Sequence, residues 1–277
     1  MFGRNKTISA NASAVVTGAG SGIGRAFAEE LARRNGAVVC ADINLGTAQE
    51  TADRIVSTGG RAWAVQCDVS VQAEVEALAE QADALLPEPV NLVINNAGVG
   101  VGGKPVGETS MDDWHWTMGI NLWGVIHGCH VFAPRLKAQG YGGIINVAST
   151  ASFAAAPLMG PYNVTKAGVL ALSETLSAET SGTGVNVTVL CPTVVNTNIF
   201  TTGRIDAGIT PLMNRLVELT GVPAEGVALT TLKALDRGQL YVLPQMDARM
   251  IWRAKRYLPS VYTPGAGLLS RLASAKA

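Results

Sequence analysis

Residues 14 to 24 read Ala14-Val15-Val16-Thr17-Gly18-Ala19-Gly20-Ser21-Gly22-Ile23-Gly24. The apolar run predicts a short buried strand, and Ala26, Phe27, Leu31 and Ala32 beyond the glycines carry helical spacing. A glycine-rich turn between a strand and a helix lets the backbone approach a pyrophosphate, and the helix N-terminus adds unpaired N–H groups and a positive dipole end. Glycines also make ordinary turns, so the flanking sequence decides. Ala37-Val38-Val39-Cys40-Ala41 predicts a second strand that ends at Asp42, eighteen residues after Gly24. An acid there accepts hydrogen bonds from adenosine ribose hydroxyls and repels a 2′-phosphate. Ile43 and Asn44 follow, and Ser21 rather than a basic residue occupies the middle of the turn, so these residues favour NAD over NADP. The alternative for Asp42 is a turn residue that caps the next helix.

The same alternation continues outward. Strands are predicted at 14–16, 37–41, 62–66, 90–95, 143–147, 185–190 and 240–243, most of them continuously apolar as strands buried on both faces are. Helices are predicted at 45–58, 72–86, 162–180 and, as one long element, about 111–138. The order specifies an α/β fold, a doubly wound Rossmann-like parallel sheet of about seven strands with helices on both faces. In such sheets the pocket forms at the carboxyl ends of the strands, where 99–107, 151–160 and 196–216 belong. The middle segment is small and apolar, and the last reads as a substrate lid.

Tyr162 and Lys166 stand four residues apart, one helical turn on the same face, and Ser149 lies thirteen positions before the tyrosine. A phenol titrates near 10 and is a poor base at neutral pH, but a fixed ammonium beside it favours the phenolate. Ser149 can share a hydrogen bond with the same substrate oxygen. These are the parts for moving a proton on and off a hydroxyl or carbonyl.

With Thr17-Gly-Ala-Gly-Ser-Gly-Ile-Gly24, Asn95-Asn-Ala-Gly98, Asn121, Ser149 and Tyr162-xxx-Lys166 in this order, the chain resembles the short-chain dehydrogenase/reductase family over roughly residues 10 to 200. The resemblance implies an NAD-dependent enzyme that interconverts a hydrophobic secondary alcohol and its ketone. It makes Tyr162 the acid/base, Lys166 the group that depresses its pKa and holds the nicotinamide ribose, and Ser149 the residue that orients the substrate oxygen. Asn121 helps hold a water linking Lys166 to solvent, or alternatively bridges a helix kink to a strand. Cofactor contacts are implied at Gly18, Gly20, Ser21, Gly22, Ile23, Gly24 and Asp42, at Asp68 and Val69, at Asn95, Ala97 and Gly98, at Tyr162 and Lys166, and at Pro192, Thr193 and Thr197. One position departs from the family: Cys191-Pro192-Thr193 stands where Pro-Gly is usual, which puts the local pocket shape in question. The resemblance also implies a homodimer or homotetramer. Rival readings are a dehydratase or epimerase using the same tyrosine, and a non-catalytic NAD sensor; every catalytic position is filled, which argues against the sensor.

The 277 residues are 48% hydrophobic and 15% charged, enough for one large core, and 21 basic residues balance 21 acidic ones. No basic stripe points to nucleic acid. Cys40, Cys67, Cys129 and Cys191 are widely spaced in apolar patterns and read as buried free thiols of a reducing, cytoplasmic compartment. His127 and His130 could share a helix face, but no carboxylate lies one turn away, so no metal is expected. Residues 1–11 read as a flexible arm, 12–245 as a single Rossmann-type catalytic domain with the lid at about 196–216, and 246–277 as a basic C-terminal extension. In that extension Ala248 to Leu258 has helical spacing with Met250, Ile251, Trp252 and Tyr257 among arginines and lysines. Packing on a subunit is preferred there over contact with a membrane surface, because charges fall on several sides of the helix.

Overall fold

Every residue of β1 (Ser13–Thr17) is buried, as is every apolar position of β2 (Ala37–Asp42), β4 (Leu92–Asn95), β5 (Gly142–Val147) and β6 (Val185–Leu190). Strands so apolar need cover on both faces, which parallel pairing with helical crossovers supplies. In the computed structural model, which describes residues 7–197, 199, 203–206 and 220–274, these strands join β3 (Arg61–Gln66) and β7 (Tyr241–Val242) in one parallel sheet. The order is β3-β2-β1-β4-β5-β6-β7. Successive residues alternate between its faces. Val15, Val39 and Val93 pack with Val75, Leu78 and Phe132; Ala14, Val16, Val38 and Ile94 pack with Phe27, Leu31 and Leu232 on the other side. Fully buried side chains such as Phe27 and Leu31 contribute about 2–3 kcal/mol each in transfer free energy.

The connecting helices are α1 (Gly22–Arg33), α2 (Leu45–Ser57), α3 (Gln72–Leu85), α4 (Met111–Met118), α5 (Gly124–Gln139), the single turn α6 (Ala151–Ala154), α7 (Gly160–Glu179), α8 (Ala224–Asp236), α9 (Met246–Tyr257) and α10 (Pro259–Ser274). Three differences from the sequence reading stand out. The long helix expected over about 111–138 is broken by a π turn, Gly119–Trp123, between α4 and α5. The helix α8 is not picked out from sequence, although Val227, Ala228, Leu232 and Leu235 form a buried stripe on it. Where a loose arm was expected, Ile8 and Ser9 are buried; the Ser9 hydroxyl donates to Asp236 (2.6 Å), which Arg34 also approaches at 3.4 Å. Residues 1–6 of that arm lie outside the described residues.

Candidate active site

β1 crosses over toward β2 and β3, whereas β4 lies on its other side, so the strand order reverses between β1 and β4 and opens a crevice at their carboxyl ends. Thr17 fastens the crevice floor. Its hydroxyl donates to the Ile94 carbonyl (3.3 Å) and accepts from the N–H groups of Asn96 (3.0 Å) and Ala97 (3.1 Å). Gly18 adopts φ +63°, and a Cβ there would lie 2.8 Å from Ala97 Cα; a Cβ on Gly24 would lie 2.1 Å from the Gly18 carbonyl oxygen. Only glycine lets the turn fold this tightly against the Asn96–Gly98 loop. Ser21 is extended at the N-cap of α1 without a capping side-chain hydrogen bond, so the first N–H groups of the helix remain open to a ligand. An exposed backbone cradle at a helix start is what a dinucleotide pyrophosphate requires, and the residues present fit one.

Of the other expected contacts, Asp42 and Thr197 lie against this cradle. Asp42 Oδ2 accepts from Gly20 N (2.9 Å) and Oδ1 from Asn44 N (3.0 Å), so Asp42 pins the glycine turn; the cap of α2 is Asn44. An arginine does stand nearby, which the sequence alone does not reveal. Arg25 donates to the Gly20 carbonyl and to Thr51 Oγ1, and it pairs with Glu50 at 3.4 Å. Asp68 Oδ1 accepts from the N–H (2.9 Å) and hydroxyl (2.7 Å) of Ser70, and the Val69 carbonyl meets His127 Nδ1 at 2.9 Å. Thr197 lies over Gly22, whose Cβ would be 2.9 Å from the threonine methyl.

Ser149, Tyr162 and Lys166 come together beside this crevice. The Ser149 hydroxyl, following β5, donates to the Pro192 carbonyl (3.5 Å) and accepts from Ala151 N (3.2 Å). Lys166 is buried; its Nζ donates to the Val147 carbonyl (2.9 Å) and lies 5.8 Å from the centroid of the Tyr162 ring. Asn121 is wholly buried in the π turn and brackets Val99: Oδ1 accepts from its N–H (2.7 Å) and Nδ2 donates to its carbonyl (2.8 Å). Gly98 joins the two, since a Cβ there would lie 3.2 Å from Asn121 Oδ1 and 3.4 Å from Lys166 Nζ.

The electrostatics differ from expectation at one point. Burial pushes the Tyr162 phenol above its ordinary value, against a hydrogen bond with Ser149 that pulls it down. The depression expected from Lys166 is not seen. Burial draws the lysine itself down to about 8, and its ammonium is aimed at Val147 rather than at the phenol oxygen. The groups that shift the phenol are its burial and Ser149.

Asn95 also departs from its expected place. Its amide points away from the cleft into a buried network, donating to Asn146 Oδ1 (2.8 Å), while Asn146 donates to Ser173 Oγ (3.0 Å). The neighbour Asn96 takes the cleft position, its Nδ2 donating to the carbonyls of Thr17 (2.9 Å) and Gly18 (3.1 Å). Strand alternation carried the signal: Asn95, the last residue of β4, pairs with Asn146 in register. Ser152 is a further unread contributor, its hydroxyl donating to the Lys166 carbonyl (2.8 Å).

Thr193 answers the question its departure raises. Its hydroxyl donates to Asp247 Oδ1 (3.1 Å) and its N–H to Gln245 Oε1 (3.2 Å), tying the wall beside Pro192 to the start of α9. Trp252 of α9 meets Phe153 of α6 edge-on at 5.0 Å. Of the substrate loops, Val101–Gly102 pairs with Arg204–Ile205, and Gly103 N donates to the Leu158 carbonyl (2.8 Å). Arg204 stacks on Trp116 at 4.2 Å and pairs with Asp113 at 2.9 Å. The rest of the expected lid, residues 198, 200–202 and 207–216, lies outside the described residues. All four cysteines are buried and free, and no group of three or more His, Cys, Asp or Glu among the described residues could hold a metal.

Known proteins are similar to this chain. The family model for short chain dehydrogenase matches residues 12–207. The chain is 40% identical over 188 residues to the Mycobacterium tuberculosis protein named "Probable oxidoreductase EphD", a match that covers 68% of this chain and 31% of that one. The chain thus spans about a third of the length of that relative. It is 33% identical to 1-deoxy-11-beta-hydroxypentalenate dehydrogenase of Streptomyces exfoliatus, over 86% of this chain and 84% of the other. A crystal structure of a short chain dehydrogenase/reductase from Burkholderia phymatum in complex with NAD superposes with a TM-score of 0.85 at 34% identity, covering 92% of this chain and 96% of that one. The chain belongs to the short-chain dehydrogenase/reductase family.

Proposed function

We propose that the chain is an NAD-dependent dehydrogenase that interconverts a hydrophobic secondary alcohol and its ketone. The observation that carries this reading is the convergence of Ser149, Tyr162 and Lys166 beside the glycine cradle, with Gly98 and Asn121 packed against the lysine. A bound nicotinamide dinucleotide supplies the hydride acceptor or donor. Gly18 to Gly24 and the open start of α1 hold its pyrophosphate, and Asp42 faces the adenosine ribose, with Asp68, Val69, Ala97, Pro192, Thr193 and Thr197 along the cleft. Asp42 supports NAD over NADP because its carboxylate repels a 2′-phosphate, while Arg25, the nearby cation, is already committed to Gly20, Thr51 and Glu50.

In oxidation Ser149 orients the substrate hydroxyl and the Tyr162 phenolate takes its proton; Lys166 and a water held near Asn121 pass that proton toward solvent. In reduction the buried, protonated phenol returns a proton to the carbonyl oxygen. Apolar small residues in 151–160, with Val101, Leu158 and Ile205 at the mouth, favour a hydrophobic substrate. Assembly into a homodimer or homotetramer is proposed through α5 with the π turn before it and through α7, where Trp123 of the turn and Val164 of α7 are exposed. The test is NADH formation from NAD⁺ across a panel of hydrophobic secondary alcohols. Turnover that vanishes in Tyr162→Phe supports the proposal. Binding of NAD⁺ without turnover of any alcohol contradicts it, and preference for NADP⁺ contradicts the role given to Asp42.

A further inference from the structure

Charge is segregated in this neutral chain. From Pro244 to the C-terminus there are six cations and one acid, leaving fifteen cations and twenty acids elsewhere. That one acid, Asp247, is already bonded to Thr193 and to the N–H of Ala248. Two faces of α9 are distinct. At 100° per residue Ala248 and Trp252 fall on one side, and there Ala248 is fully buried and Trp252 packs on Phe153 and Tyr241. Met246, Met250, Arg253 and Tyr257 fall within about 60° of one another on the opposite side. The three apolar members of that stripe are 67%, 64% and 76% exposed. Leu258 and Val261, where α9 passes into α10, are also exposed.

Cations border this apolar stripe. Arg249 and Arg253 of α9 line, with Lys233 and Arg237 of α8, a groove of about 510 Å³ at the β7 edge of the sheet, and its lining contains no carboxylate. Charges do lie on several sides of the helix, as expected: Arg256 stands over the inner Trp252 and Lys255 over Tyr262, while Arg249 and Arg253 flank the exposed apolar stripe.

We propose that this face, the outer side of α9 with the groove it forms against α8, docks on an anionic phospholipid surface. Phosphate headgroups match the four groove cations, and Met246, Met250, Tyr257 and Leu258 are placed to enter the boundary between headgroups and acyl chains. A second copy of the chain is a poor occupant. A two-fold contact sets a patch against itself, so Lys233, Arg237, Arg249 and Arg253 would meet their own counterparts with no free carboxylate between them. Among the described residues no helix is long and apolar enough to cross a membrane, so the contact is one of surface docking.

The test is co-sedimentation of the full chain with vesicles of phosphatidylcholine, alone or mixed with one third phosphatidylglycerol. Binding is expected on the anionic vesicles only and is expected to fall with added salt. Lys233→Gln and Arg253→Gln should each weaken it about fivefold, and the pair about thirtyfold. Met250→Ser with Tyr257→Ser should also release the chain. An unchanged melting temperature controls for folding in each variant. Failure to sediment with anionic vesicles, or binding indifferent to the charge variants, overturns the proposal. So does a larger assembly in light scattering that Met250→Ser with Tyr257→Ser dissociates in the absence of vesicles, since the face would then be a contact between copies.

Discussion

Replacing Asn121 by alanine separates its two readings, proton relay and structural bridge. The side chain is wholly buried and makes two short hydrogen bonds, both to the backbone of Val99, 22 residues away. A buried hydrogen bond is worth about 1 kcal/mol net, and each backbone group left unpaired adds to the loss. The space left by the amide adds a cavity contribution on top. Asn121→Ala should therefore destabilise the chain by about 2–4 kcal/mol, with a melting temperature lower by about 4–12 °C. Urea unfolding followed by far-UV circular dichroism reads this directly, with no substrate present. The loss arises because this amide fastens the π turn to the loop after β4, and that loop carries Gly98 between Asn121 and Lys166. Activity should fall as well, and no more in proportion than the displaced loop accounts for. Loss of activity with stability changed by less than about 0.5 kcal/mol would refute the bridge and leave Asn121 a relay residue alone.

Gly24→Ala should weaken NAD⁺ binding at least about tenfold in a fluorescence titration, because its Cβ would meet the Gly18 carbonyl at 2.1 Å and backbone cannot step aside cheaply. Gly226→Ala is the contrasting case: nothing lies within 4 Å of the added carbon inside α8, and a stability gain of about 0.5–1 kcal/mol is expected in the same urea assay. Because burial holds the Tyr162 phenol above its ordinary value, alcohol oxidation should climb about tenfold per pH unit from pH 6 to 8 and bend as Lys166 discharges near 8. A flat profile over that range would show that the phenol is depressed in the loaded enzyme. Burial pushes all four thiols from about 9 up to about 12, so the stability they hold is complete below pH 9 and is lost as pH rises toward 12, at about 1.4 kcal/mol per thiol per unit. Lys166, held low at about 8, works in the opposite sense between pH 8 and about 10.4, but one group gaining about 1.4 kcal/mol per unit cannot offset four losing it. Urea midpoints should fall steeply above pH 9, and Cys40→Ala should flatten that slope by about a quarter while lowering stability at neutral pH.

The features legible from the residues alone are local. The glycine turn between β1 and α1, the acid ending β2, and the tyrosine and lysine one helical turn apart are set by backbone geometry over a few residues. Chain order and continuous apolar strands were enough to specify a parallel sheet with its cleft at the carboxyl ends. Tertiary structure decided which of two adjacent asparagines faces the cleft, because Asn95, ending β4, is paired with Asn146 whereas Asn96 lies just beyond the strand. It alone placed Arg25 on the carbonyl of Gly20, and it alone turned the long helix into two around a π turn whose Asn121 shares a pair of hydrogen bonds with Val99. Thr193 departs from the family's usual glycine, and its hydroxyl donates to Asp247, 54 residues on. The direction of the Tyr162 pKa went against the local argument for the same reason. The spacing of two residues sets how near a charge can stand, but burial, which the whole fold creates, sets what that charge is worth.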